Sequence, residues 1–275
     1  INTASHFGME RELGSITPGR RADFIVTSSL KELPIENVFA RGKYVAENGK
    51  ILTDCPHYDW PSTVRETVKL GKKLEADDFI LKAPEEASLV RAKVIGVIEN
   101  QAPTKSLEFD LPTKNGSVQI SEGVSYLSLV ERHRGTGSVT NGFVSGFGYN
   151  GSMAIASSVA HDSHHMIVVG TDREMMAAAA NRLGEVGGGV TVWKDGSEVA
   201  LVELPIAGLM SDSPASIVAA KAQEVVSAMA DCGCSLNNAY MQHTLLALVV
   251  IPELRISDLG LVDVNHFELT EVILS

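Results

Sequence analysis

AIASSVAHDSHHMIVVGTDREMMAAAANRLGEVGGG, residues Ala154 to Gly189, holds two strand-like runs, a helix-like run and a polar cluster in one stretch. Ala154–Ala160 and Met166–Gly170 are short, apolar and rich in Val and Ile, as buried strands are. Asp172–Val186 predicts a helix, with Asp172 near its start, where a carboxylate suits the dipole. Gly187-Gly188-Gly189 stops it. Between the two strands stand His161, Asp162, Ser163, His164 and His165. Such side chains are poor core material, because each needs a partner when buried. One reading makes them a site held at a strand end, with Asp162 orienting a neighbouring histidine and fixing its tautomer. The other makes them a hydrogen-bonded structural turn.

On either side of this stretch, strands are expected at Arg91–Ile98, Val118–Ile120, Tyr126–Val130, Phe143–Phe147, Val190–Trp193 and Ala200–Leu204. A second helix spans about Pro214–Ala230; Pro214 fits its first turn, and Ser211-Asp212-Ser213 reads as its N-cap. Thr244–Leu274 is strand and loop. Tyr126–Val130 runs into Glu131-Arg132-His133 and the loop Gly135-Thr136-Gly137. An acid, a base and an imidazole at a strand exit could bind a polar ligand or pair with each other.

The first 54 residues form a small β unit: a helix end closed by Gly8, a Pro18-Gly19 turn, a strand Ala22–Val26 and a hairpin around Arg41-Gly42-Lys43. Asn48-Gly49 turns the chain again before Ile51. Residues 55–87 are expected to be a connector with one exposed helix, Ser62–Leu74. Residues 88–275 then fold separately, with several strands and two main helices. The class is α/β (α+β). The chain opens at Ile1 with no initiator Met, and its first residues look mid-helix, so a piece of a longer polypeptide is expected.

Of the 275 residues, 44% are hydrophobic and 21% charged, a composition that folds. A net charge of −11 argues against a nucleic acid or an anionic membrane as partner. No apolar run nears the roughly 20 residues of a membrane span; Leu245–Ile251 is only strand-sized. Cys55, Cys232 and Cys234 have no framework spacing, which suggests a reducing, cytoplasmic setting. Cys232-Gly233-Cys234 reads as buried thiols, since no second pair follows at zinc spacing. The glycine triplet follows a helix, whereas a phosphate cradle precedes one. No His-x-His, His-Glu-x-x-His or Gly-x-Ser-x-Gly occurs, so no complete metal or hydrolytic centre is recognisable.

Leu13-Gly14-Ser15-Ile16-Thr17-Pro18-Gly19-Arg20-Arg21-Ala22-Asp23 resembles the closing segment of the amidohydrolase superfamily, where the chain leaves a metal-binding barrel and completes a small β domain. Val130–His133, Gly142–Gly148, Ile155–His164, Asn181–Leu183, Leu204–Asp212 and Val250–Val264 resemble, in order, the C-terminal domain of the bacterial adenine deaminase family. After Ser163-His164 that family usually has Asn, where this chain has His165. The resemblance implies hydrolysis of adenine to hypoxanthine and ammonia, in purine salvage, by a cytoplasmic homo-oligomer. It further implies a divalent metal, manganese or iron, whose ligands lie on a barrel upstream of Ile1 and whose bound water supplies hydroxide. Alone, the chain is then expected to be inactive. Glu131, Arg132, His133, His161, Asp162, Ser163 and His164 are the candidates for supporting the active site. Two alternatives stay open: a non-catalytic structural or oligomerisation domain, and deamination of another purine-like base.

Overall fold

The structure, a computed structural model, describes residues 1–54, 56–85 and 87–274; Cys55, Glu86 and Ser275 lie outside the described residues. It separates a first unit, Ile1–Asp59, from a second, Trp60–Ser275. The expected connector is therefore divided, its residues from Trp60 onward belonging to the second unit.

In the first unit, α1 (Asn2–His6) precedes β1 (Phe24–Val26), β2 (Asn37–Ala40), β3 (Lys43–Glu47) and β4 (Lys50–Ile51). The strands pair in sequence order, all antiparallel. Arg41-Gly42 and Asn48-Gly49 have positive φ at both positions, as two-residue hairpins of this twist require. Phe24 stacks on Phe39 and Phe39 on Tyr44, with ring centroids 4.6 and 5.0 Å apart.

The second unit opens with α2 (Ser62–Arg65) and a 3-10 turn, Ala76–Phe79. Then come β5 (Leu89–Val97), β6 (Thr104–Lys114), β7 (Ser117–Val118), β8 (Val124–Val130), β9 (Val139–Ser145), β10 (Met153–Ser157) and β11 (Met166–Gly170). After α3 (Arg173–Val186) follow β12 (Gly189–Lys194), β13 (Ser197–Glu203), α4 (Ala215–Asp231) and α5 (Ala239–Leu245). The chain ends with β14 (Leu254–Ser257), β15 (Gly260–Asp263), β16 (Glu268–Thr270) and β17 (Ile273–Leu274). Nine strands run β13-β12-β10-β11-β8-β9-β5-β6-β7, with β17 also on β5; the pairing is antiparallel except between β5 and β9. β14, β15 and β16 form a separate small sheet. The mixed α/β (α+β) class is as the sequence indicates.

Both faces of the large sheet are covered, so its central strands read as unbroken apolar runs. Ile167 and Val169 of β11 join Leu127 and Leu129 of β8 in a core that includes residues of α4, β14 and β15. Met166 and Val168 face the other way, with Met176, Ala180 and Leu183 of α3. Asp172 caps α3, accepting from the backbone N–H of Glu174 and Met175, and Gly187 ends it at φ +80°. The next two glycines are packing requirements: a Cβ on Gly188 would meet Gly208 Cα at 2.5 Å, and one on Gly189 would meet the Val202 carbonyl at 2.1 Å. Cys232 and Cys234 are buried free thiols, their pKa values raised by burial. Among the described residues no helix is long and apolar enough to cross a membrane.

Four local expectations are corrected. The helix over Ser62–Leu74 stops at Arg65. Beyond it, tertiary bonds replace helical ones: Lys69 N–H donates to the Arg132 carbonyl (2.8 Å), and the Asn181 amide bonds both main-chain groups of Leu74 at 2.9 Å. β6 has no counterpart in the expected strands. Asp212 does not cap α4, which begins after Pro214 without a side-chain cap; its carboxylate pairs with Arg65. Thr244–Leu274, expected as strand and loop, begins instead with the end of α5 and with turns as far as Ile251.

Leu74 and Phe79 are 2% and 1% exposed in the core of the second unit. A chain truncated to begin at Ala87 is therefore expected to melt well below one beginning at Trp60 and to aggregate. Each large apolar side chain lost from a core costs roughly 2–5 kcal/mol. Equal melting temperatures would show that residues 60–86 are not part of this core.

Candidate functional site

β8 and β11 are hydrogen-bonded neighbours with Val130 opposite Met166. The chain leaves β8 at Glu131 where it enters β11 after His165, so two polar clusters some thirty residues apart meet at one sheet end. Asp258, in the turn between β14 and β15, reaches the same place; its carbonyl accepts from the Thr140 hydroxyl at 2.9 Å. The loop after β13 arrives there too, since the Ser158 hydroxyl donates to the Gly208 carbonyl at 2.6 Å.

Glu131 is spent within its own loop. Oε1 accepts from the backbone N–H of His133 (2.5 Å) and Arg134 (2.8 Å), and Oε2 from the N–H (3.0 Å) and hydroxyl (3.1 Å) of Thr136. Burial alone would raise its pKa, but the backbone donors of Thr136, Arg134 and His133 outweigh it, and with the Thr136 hydroxyl hold it at about 2. Such a carboxylate is a fixed anion filling a nest of N–H groups. It is not a proton carrier near neutral pH.

Arg132 is 1% exposed and ties two loops together. Its Nε donates to the His164 carbonyl (2.5 Å) and Nη2 to the Ala207 carbonyl (3.2 Å), while Nη1 has no hydrogen-bond partner among the described residues. Burial lowers its pKa to about 10, which leaves it cationic. His133 is exposed, and its Nε2 lies 2.8 Å from the Ser163 carbonyl. The Glu131–His133 corner thus holds the main chain of the histidine turn.

Within that turn, His164 has φ +52°, its N–H donates to the Ala160 carbonyl (2.7 Å), and its Nδ1 accepts from the Ala160 N–H (3.2 Å). His161 N–H donates to the Thr244 carbonyl at 3.1 Å, and the His161 and His164 rings meet edge-on, centroids 5.2 Å apart. Burial chiefly, then His161 and Arg132, lowers the His164 pKa; Asp162 offsets this only partly. Asp162 and Ser163 are exposed, His161 and His164 half-buried. Asp162 makes no hydrogen bond to a histidine among the described residues. The expectation that it fixes a tautomer is corrected: main-chain groups do that.

His165, where the family usually has Asn, is buried beside the His133 ring, centroids 4.7 Å apart. Its Nδ1 is 4.0 Å from Glu131 Oε1 and its Nε2 3.7 Å from Asp258 Oδ2, both too long for hydrogen bonds. Burial, first of all, lowers its pKa, and Asp258 works against that. Asp258, Thr136, Thr244 and the 205–210 loop take part as well, although none of them is among the candidate site residues read from the sequence. Asp258 lies 93 positions from His165, and only the packing of β14–β15 brings them together.

The arrangement offers an exposed polar surface over a rigid base of buried Glu131 and Arg132. Among the described residues no group of three or more His, Cys, Asp or Glu could hold a metal ion. A hollow of about 460 Å³ lies elsewhere, against α4, lined by Lys194, Val199 and Glu224 among others.

Comparison with known proteins gives the chain its relatives. The family model described as adenine deaminase C-terminal domain matches residues 101–268. The chain is 72% identical over 271 residues to an adenine deaminase of Ruegeria pomeroyi and 65% identical over 272 to one of Paracoccus denitrificans. To that of Moorella thermoacetica it is 41% identical over 275. In each case 98–99% of this chain is covered but only 45–46% of the relative. The chain thus spans under half the length of these relatives.

Proposed function

This chain belongs to the adenine deaminase C-terminal domain family, and from that we propose that it works as part of an adenine deaminase, in which water replaces the amino group of adenine to give hypoxanthine and ammonia. The observation that carries a direct part in this is the convergence of His133 with His161–His164 on one sheet end, backed by Arg132. In our reading this end closes over the substrate, excludes bulk water and presents fixed N–H groups to it. In this reading a manganese or iron ion would be held by parts of the enzyme outside this chain and would supply the attacking hydroxide. The setting we propose is cytoplasmic purine salvage by a homo-oligomer.

One observation favours a second reading, a purely structural domain: Glu131 is consumed by its own loop. An exchange experiment decides between them. This chain replaces the matching 45% of the Ruegeria pomeroyi protein, and ammonia release from adenine is measured with manganese or iron supplied. The exchanged enzyme should turn over and the 275-residue chain alone should not. Turnover by the chain alone, or an inactive but folded exchange, would sink the proposal. Within the exchanged enzyme, His161→Ala should slow turnover about a hundredfold, roughly 2.7 kcal/mol of transition-state stabilisation, at unchanged metal content. Under the structural reading the same change lowers only the melting temperature.

A further inference from the structure

His164 is held at three points, two on its main chain and one on its ring. Its own N–H and carbonyl are bonded to Ala160 and Arg132, and its Nδ1 accepts the Ala160 N–H. An N–H can donate only to an unprotonated ring nitrogen, so the neutral ring carries its proton on Nε2. The charged groups and rings around it are Arg132, His133, His161 and Asp162, of which only Asp162 favours a cation. Among the described residues Nε2 has no hydrogen-bond partner, and the ring is half-buried, not sunk in the core.

We propose that His164 reads the substrate, its fixed Nε2–H donating to an unprotonated ring nitrogen of a planar heterocycle. This rests on the deaminase reading and says which group of this chain touches the base. With Nδ1 engaged and Nε2 protonated, the ring has no lone pair free to take a proton. It is therefore a donor and not a general base. A neutral donor also suits a neutral base, because neither partner brings a charge to desolvate. A ligand with C–H in place of that nitrogen would leave Nε2–H unpaired, and polar groups left so are the strong source of discrimination.

Two measurements test it. In 15N-histidine spectra of the 275-residue chain between pH 6.5 and 8, His164 should show the Nε2–H tautomer; the Nδ1–H tautomer overturns the proposal. In the exchanged enzyme, deaza-adenines, each with one ring nitrogen replaced by C–H, serve as competitive inhibitors of adenine turnover. One of them should bind about ten- to hundredfold more weakly than the others. His164→Asn suits the positive φ but falls short of the Nε2 position. It should raise the KM for adenine by a similar factor and erase the discrimination, and His164→Gln should restore part of both. Unchanged KM and discrimination in a His164→Asn enzyme, even a less stable one, overturn this inference while leaving the deaminase reading intact. An inactive exchanged enzyme overturns that reading and the substrate assigned here together, whichever tautomer the spectra show.

Discussion

Glu131→Gln is expected to lower stability at pH 7 by about 3 kcal/mol, and the loss should shrink below about 1 kcal/mol at pH 2.5. Glutamine keeps the shape but turns an NH2 toward donors that now face a carboxylate oxygen, and four hydrogen bonds converge on that carboxylate. Its pKa falls from 4.5 to about 2 in the folded chain. A group held down in this way stabilises fully above its unfolded value, and the contribution fades as pH falls through the folded value. Holding a carboxyl from 4.5 down to about 2 corresponds to about 3 kcal/mol. Denaturant unfolding of both proteins at the two pH values measures it. A gap of the same size at pH 7 and pH 2.5 would mean that the carboxylate charge is not what the loop uses. Because His133 holds the Ser163 carbonyl, the variant should also loosen the histidine turn, visible as faster amide exchange there.

The parts of this fold that were legible are those where local chemistry and tertiary packing agree. β8, β10 and β11 lie deep in the sheet with both faces covered, so their apolar runs could be nothing else. α3 carries its own signals at both ends, Asp172 and Gly187. β6 escaped notice because its exposed positions carry Lys105, Glu108 and Asp110 and it contains Pro112, while only the short β7 lies beyond it. Residues 62–74 look helical on charge spacing, yet Gly71 and the bonds from Asn181 and the Arg132 carbonyl hold them otherwise.

The site divides in the same way. Glu131–His133 and His161–His165 stand out because polar side chains interrupt apolar runs at strand ends. That they meet follows only from β8 pairing with β11, two strands not consecutive in the chain. Asp162 misled because a carboxylate beside histidines suggests a side-chain partner, whereas the bonds that set His164 come from Ala160 and Arg132. Backbone donors leave no mark in a sequence pattern.

For the same reason Arg132 is the residue on which the site's shape depends most. Arg132→Met keeps much of the volume but leaves the His164 and Ala207 carbonyls without their donors and the Glu131 anion without its neighbouring cation. One effect opposes the loss: a buried guanidinium whose Nη1 has no hydrogen-bond partner among the described residues costs desolvation, and methionine removes that cost. The bonds should win. Hydrogen bonds to a charged group contribute about 1.5–3 kcal/mol each, and removing one member of a buried charged network typically costs 3–5 kcal/mol. A net loss of about 3–4 kcal/mol is therefore expected. Arg132→Lys should fall between the two, since one ammonium cannot reach both carbonyls in the fork geometry of arginine. Because Arg132 and Glu131 are adjacent, the double variant should lose less than the sum of the singles. Amide exchange distinguishes the local effect from a general one: it should rise first at 160–165 and 206–210, the two loops Arg132 joins, and least in β11. If Arg132→Met melts like the parent and both loops stay protected, the guanidinium does not hold them together, and the site has no rigid base.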